Sequence, residues 1–240
     1  MTVKLNGYLI NLAFTRYTKK NKKGERMKKL ALSLVALMFA TSVFAMNFSV
    51  GAKGNIGIAT TIQSVDDEPV EDILPVFSGS IGGVFGIQFT EMFALEPEVM
   101  FHFGNGYSTE YENRLGKTTK YSCNWTTLEI PVMFKAKFAV GDGHFAVAVG
   151  PQFNFLLGDI NGKREYDGDT VTDSISADDY GFNTFTLGIG AGVEYGLPVG
   201  PGDLVFGVRW QMDLTNVSDD SDYQFRNMAV LPSVAYMIKL

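Results

Sequence analysis

The chain has 240 residues, a formal net charge of −6, one cysteine, 26 glycines and 13% aromatic residues. That profile excludes a disordered chain and a disulfide-stapled scaffold, and one domain is the default. Nine of the 20 basic residues and only one of the 26 acidic ones precede residue 46. The remainder therefore carries about −14, a poor basis for binding nucleic acid.

The first element is "MKKLALSLVALMFATSVFA", Met27 to Ala45: two lysines, an apolar run from Leu30, then Val43 and Ala45 as small residues before Met46. It has the layout of a secretory signal peptide, and its apolar run falls short of the roughly 20 residues that a transmembrane helix needs. Codons for the preceding "KKGER" (Lys22 to Arg26) can spell a ribosome-binding sequence. The expected organisation is therefore a mis-assigned extension over 1–26, a signal peptide over 27–45 and a single domain over 46–240.

From Met46 onward the apolar residues recur at every second position, the period of a strand. Strand one runs from about Phe48 to Thr60, with Val50, Ile56 and Ile58 opposite Gly51, Lys53 and Asn55. Strand two sets Phe77, Ile81 and Phe85 against Ser78, Ser80 and Gly86, and strand three sets Phe93, Leu95, Val99, Phe101 and Phe103 against Ala94, Glu96, Glu98 and His102. Strand four places Leu128, Ile130, Val132, Phe134 and Phe138 opposite Thr127, Glu129, Lys135 and Lys137; strand five places Phe145, Val147, Val149, Phe153 and Phe155 opposite Ala146, Gly150, Gln152 and Asn154. In strand six, "TLGIGAGVEYG" (Thr186 to Gly196), the glycines alternate with apolar residues. That spacing lacks the strand–turn–helix context of a dinucleotide fingerprint. Strand seven runs from Leu204 to Leu214, with Arg209, Gln211 and Asp213 on its polar face, and strand eight ends the chain with Val230, Val234, Tyr236, Ile238 and Leu240.

Short links near Glu91, Gly141 and Gly200 alternate with long polar loops after strands one, three, five and seven. The pattern predicts an all-β fold: an eight-stranded antiparallel up-and-down transmembrane β-barrel of the bacterial outer membrane, preceded by a signal peptide. Period two does not say which face points inward, so a soluble lipocalin-like barrel with a greasy pocket is the rival. The polar face favours the membrane reading. Its Gly and Ala suit a narrow filled lumen, and its charges, Lys53, Glu96, Glu98, Glu129, Lys135, Lys137, Glu194, Arg209 and Asp213, include both signs. Phe89, Phe93, Phe138, Phe145, Tyr195 and Tyr236 gather near the short-turn end as an interfacial girdle. Pro97, Pro131, Pro151 and Pro232 fall inside strands and predict bulges or local breaks.

"LEPEVMF" (Leu95 to Phe101), "LEIPVMFKAKF" (Leu128 to Phe138) and "GVRWQMDLTN" (Gly207 to Asn216) resemble strand motifs of the PorT-like outer-membrane β-barrel domain family. The likeness spans about Met46 to Leu240 and implies the barrel architecture and a role in envelope assembly or secretion. Outer-membrane barrels commonly end in an aromatic residue read by the insertion machinery, whereas this chain ends in Leu240.

No catalytic, cofactor or metal residues are expected. His102 and His144 fall at opposite ends of the strands and cannot share a site, and a pairing of His102 with a serine such as Ser122, as in a lipid esterase, is the minor reading beside a polar lumen histidine. Glu98, Glu129, Lys135 and Arg209 read as a salt-bridged plug rather than a relay. The acidic loops, with Asp66, Asp67, Glu68, Glu71 and Asp72, then Asp167, Asp169, Asp173, Asp178 and Asp179, then Asp219, Asp220 and Asp222, lack the spacing of a calcium-binding EF-hand loop and read as solvated surface. Lone Cys123 reads as a packed bystander. The function expected is a non-enzymatic membrane barrel whose partners are outer-membrane lipid, the barrel-insertion machinery and an envelope or extracellular protein met by the acidic loops. A lipid-modifying enzyme of the outer leaflet is the alternative.

Overall fold

Alternation of apolar and polar residues becomes a division between outside and inside. In a computed structural model of the chain, residues 46–65, 68–70, 73–112, 117–166, 169–219 and 222–240 are described. The proposed extension and signal peptide, and the loop carboxylates Asp66, Asp67, Glu71, Asp72, Asp167 and Asp220, lie outside them.

The strands are β1 (Asn47–Val65), β2 (Glu68–Pro69), β3 (Ile73–Leu74), β4 (Val76–Gln88), β5 (Phe93–Glu112), β6 (Thr118–Val140), β7 (Gly143–Tyr166), β8 (Asp169–Ile175), β9 (Phe185–Val199), β10 (Gly202–Asp213) and β11 (Tyr223–Lys239), with one helical turn, α1 (Ala177–Tyr180). Hydrogen bonding runs β1–β4–β5–β6–β7–β9–β10–β11, and β11 pairs with β1, so the antiparallel sheet closes into a ring. β2, β3 and β8 hang from that ring on β1, β5 and β7. Closure removes the unpaired edges that an open sheet would expose.

The apolar face points outward. Phe77, Ile81 and Ile56 are 67%, 64% and 62% exposed, and Phe85, Val99, Phe134, Val149, Val208 and Val234 share their outward position. Inside are Lys53, Glu96, Glu98, His102, Glu129, Lys135, Gln152, Glu194, Arg209 and Gln211, all buried. A soluble barrel would have the reverse arrangement, so the lipocalin-like alternative fails on the orientation of every long strand.

Short turns at Phe89–Met92, 141–142 and 200–201 lie at one end of the ring together with both the start of β1 and the end of β11. Gly141 and Gly200 sit at φ 60°, a conformation that side chains with a Cβ rarely adopt, which closes the two tightest turns. The girdle residues tie this end together: Tyr195 Oη donates to the Val140 carbonyl at 3.3 Å and Tyr236 Oη to the Val199 carbonyl at 2.9 Å.

The strand bounds need correction, and the prolines act by local breaks alone. Strands at the opposite end run well past the predicted bounds, β5 to Glu112 and β7 to Tyr166, because past the outward apolar belt the strict alternation of apolar and polar residues ends and no longer marks them. The prolines do not shift the register: β5 and β6 keep one register from Phe93↔Ala136 to His102↔Thr127 across Pro97, and β10 pairs Val208 with Pro232 in step with its neighbours. The expected local breaks are present: the ladder skips Glu98 and Val99 beside Pro97, Val132 and Met133 beside Pro131, and Ile56 and Gly57 opposite Leu231 and Pro232. The register shifts fall instead between His102 and Asn105 on β5, at Gly104 (φ 75°), and beside Gly158 (φ 68°) on β7.

Candidate functional site

The ring's interior holds two polar clusters and an apolar cap. Nearest the short turns lies an ionic network. Lys53 on β1 donates to Glu98 on β5 at 3.2 Å and to Glu194 on β9 at 3.1 Å. Lys135 on β6 bridges Glu96 and Glu194. Arg209 on β10 binds both oxygens of Glu98. Three cations thus meet three carboxylates, and the two signs balance where neither is hydrated. Lys137 adds a longer contact to Glu96 at 3.7 Å.

Toward the long-loop end lies a second cluster. Ser78 Oγ is 2.6 Å from His102 Nε2, and His102 Nδ1 donates to Glu129 Oε1 at 2.6 Å. Gln211 Nε2 donates to both Glu129 oxygens at 3.2 and 3.3 Å, and Gln152 Nε2 donates to Gln211 Oε1 at 3.1 Å. Beyond these, Asn154 Nδ2 donates to Asp213 Oδ1 at 2.7 Å and Asn227 Nδ2 to Asn105 Oδ1 at 2.6 Å. The serine, histidine and glutamate follow the order of a hydrolase triad, in which the carboxylate orients the imidazole toward the hydroxyl. Access is what they lack: Ser78 and His102 have no exposed surface, and the neighbouring cavity, bordered by Glu129 and Gln211, measures about 20 Å³. That volume suits one water-sized species, far less than an ester and its acyl chain.

Above this cluster Cys123, Trp125, Ile160, Phe182 and Val217 form a buried apolar cap. Trp125 meets Phe182 edge to face at 5.3 Å, and Phe182 stacks on Phe225 at 6.4 Å. The segment after α1 is held down by a bridge between Phe182 and Ser218 and by Asn183 Nδ2 donating to the Asn216 and Ser218 carbonyls. Cys123, expected to be a packed bystander, lies in this cap.

Several residues of the sequence reading are redistributed. His102 is not near the loop end of its strand but at mid-strand, since β5 extends to Glu112. Its serine is Ser78 and not Ser122, which sits five positions along β6 from Thr127, the register partner of His102, or about 16 Å away. His144 is apart from His102, lining a vestibule at the short-turn end with Lys137 and Asp203. Of the four residues grouped as one plug, Glu98, Lys135 and Arg209 belong to the ionic network, whereas Glu129 belongs with His102. Lys53 is the link that reading left out, and Ser78 stood on the predicted polar face without a partner, because a face is legible from alternation and a register is not. Among the described residues no group of three or more His, Cys, Asp or Glu side chains is placed to hold a metal.

A family model described as outer membrane protein beta-barrel domain matches residues 40–219. Among solved structures, the Neisserial surface protein A is 13% identical, covering 79% of this chain and 96% of its own at a TM-score of 0.37. The outer membrane protein OprG from Pseudomonas aeruginosa is 8% identical, covering 80% and 95% at a TM-score of 0.41. The outer membrane protease OmpT from Escherichia coli is 8% identical, covering 81% and 97% at 0.38. No curated protein matches. The family model spans most of the closed sheet whose apolar face points outward, and the chain belongs to the outer membrane protein beta-barrel domain family, a protein of the bacterial outer membrane.

Proposed function

We propose that the chain is an eight-stranded transmembrane barrel that acts without catalysis, as an anchor presenting its long hairpins to an envelope or extracellular partner. The observation that carries this reading is strand length. A tilted strand crosses a bilayer with about 9–11 residues, yet β6 has 23 and β7 has 24. The surplus projects beyond the lipid. Between the projecting hairpins lies a concavity of about 840 Å³, with Tyr107, Tyr111, Tyr121, Lys163 and Arg164 on its walls. The filled lumen agrees with an anchor better than with a pore, and the PorT-like strand motifs favour a place in envelope assembly or secretion. On this reading the outward apolar belt faces outer-membrane lipid, the insertion machinery installs the barrel, and the acidic hairpin tips meet the partner.

The contact of Ser78, His102 and Glu129 favours a second reading, a lipid-modifying enzyme of the outer leaflet, and its complete burial weighs against it. One experiment separates the two. Cells carrying Ser78→Ala, and cells in which residues 162–175 are replaced by a tight turn, are compared for envelope phenotype, with heat-modifiable gel mobility confirming that each barrel is folded. An anchor loses function with the hairpin and keeps it with Ser78→Ala. The opposite result establishes the hydrolase.

A further inference from the structure

We propose that the cavity beneath the cap is a binding site for a single calcium ion. Two buried carboxylates border it, Glu129 and Asp213, and among the described residues no lysine or arginine does. Glu129 has His102 as a partner. Asp213 has only neutral donors: Asn154 Nδ2 at 2.7 Å, Thr186 Oγ1 at 3.4 Å and the backbone N–H of Asn227. No cation of the ionic network lower in the lumen pairs with Asp213, so in its ionised form Asp213 is a buried carboxylate without a counter-ion, an arrangement that costs several kcal/mol.

A second observation is independent of the carboxylates. Asn154 and Asn227 are each 6% exposed, both border the same cavity, and the side-chain oxygen of each accepts no hydrogen bond. Each amide already spends its NH₂ group on a neighbour, Asn154 on Asp213 and Asn227 on Asn105. Buried amide oxygens left this way are uncommon and call for a donor or a cation. A water molecule would satisfy the two oxygens but leave an ionised Asp213 uncompensated. A cation meets both needs.

Donor type and size select among cations. Every group offered is oxygen, two carboxylates and two amide carbonyls, which suits a hard ion. Magnesium retains several waters in most protein sites and needs more room than about 20 Å³. Calcium accepts irregular oxygen cages at 2.3–2.6 Å. Trp125 and Val217 of the cap also border the cavity, so a bound ion is occluded and its charge supports the cap from below.

The test uses the full barrel, unfolded in urea and refolded into detergent micelles with calcium or with a chelator, then freed of loose ions by gel filtration. Metal content is read by elemental analysis, with magnesium and sodium as competing ions. The expected result is one calcium per folded chain, retained against magnesium, and an unfolding constant lowered about 100-fold when calcium stands at a hundred times its Kd. Asp213→Asn abolishes retention, and Asn227→Ala weakens it. Calcium content of the folded wild type at the level of the chelated control, with unfolding indifferent to calcium, overturns the proposal and assigns the cavity to water. That readout holds even if a variant fails to fold.

Discussion

Arg209 on β10 and Glu98 on β5 meet across the lumen in a two-pronged pair, Nη1 to Oε2 at 2.7 Å and Nη2 to Oε1 at 2.6 Å, with both side chains at most 4% exposed. The fork geometry of guanidinium and carboxylate fixes orientation as well as charge. It ties together two strands that are not neighbours in the ring. Arg209→Ala leaves Glu98 with Lys53 alone and is expected to destabilise the folded barrel by about 3–5 kcal/mol, whereas Arg209→Met combined with Glu98→Met costs much less, because no buried charge is stranded. Urea unfolding in micelles, followed by tryptophan fluorescence, checks both. Equal losses in the single and double variants would show that the pair is not coupled.

His102 makes a different prediction. It is bonded at both ring nitrogens, to Ser78 and to Glu129, and replacing it with alanine takes a close partner from each, Glu129 keeping Gln211 and Thr127 and Ser78 keeping a 3.4 Å contact to the Phe103 carbonyl. A total cost of about 1–3 kcal/mol is expected. Ser78→Ala removes one partner and should cost less than His102→Ala. The same unfolding assay ranks them. A serine-reactive fluorophosphonate should leave the folded wild type unlabelled, since Ser78 has no exposed surface.

How much of this was legible in the sequence follows from what period two encodes. It assigns faces, and every charge expected on the polar face from Lys53 to Asp213 is lumenal. It does not encode which residue meets which across the ring. The meeting of Ser78 with His102 and the separation of Glu129 from Glu98 depend on register, which alternation leaves open, and the change of register farther along at Gly104 is hidden too, since alternation treats that glycine like any other. The outer halves of β5 to β7 escaped notice for a related reason. Beyond the outward apolar belt the strict alternation ends, and Ser108, Thr109, Tyr121 and Lys163 read as loop.

The outward apolar belt, which the proposed function sets against lipid, yields a test of orientation. Val149 lies midway along the crossing part of β7, points outward and is 46% exposed. Val149→Arg is expected to destabilise the barrel in bilayers by about 2–4 kcal/mol, while the same change near an interface, at Val140, costs about 0–1. Unfolding from lipid vesicles measures both. A tolerated arginine at Val149 together with a damaging one at Val140 would misplace the membrane.

Two glycines with positive φ separate conformational strain from steric exclusion. A Cβ on Gly141 (φ 60°) meets nothing within 4 Å, so Gly141→Ala is burdened only by its backbone conformation, about 1–2 kcal/mol. On Gly104 (φ 75°) a Cβ would stand 2.2 Å from the Phe77 carbonyl oxygen, which belongs to the neighbouring β4 strand and cannot move aside without breaking the wall. Gly104→Ala is therefore expected to cost more than Gly141→Ala, and to do so by displacing the β5 bulge that separates the register of His102 from that of Asn105. Because Ser78 follows Phe77 on the same strand, that displacement also disturbs the hydroxyl facing His102. Comparison of the two variants by heat-modifiable mobility and urea midpoint decides the matter: equal midpoints would mean that the bulge carries no steric constraint, and a lower midpoint for Gly104→Ala places the constraint at the point where the two halves of β5 change register.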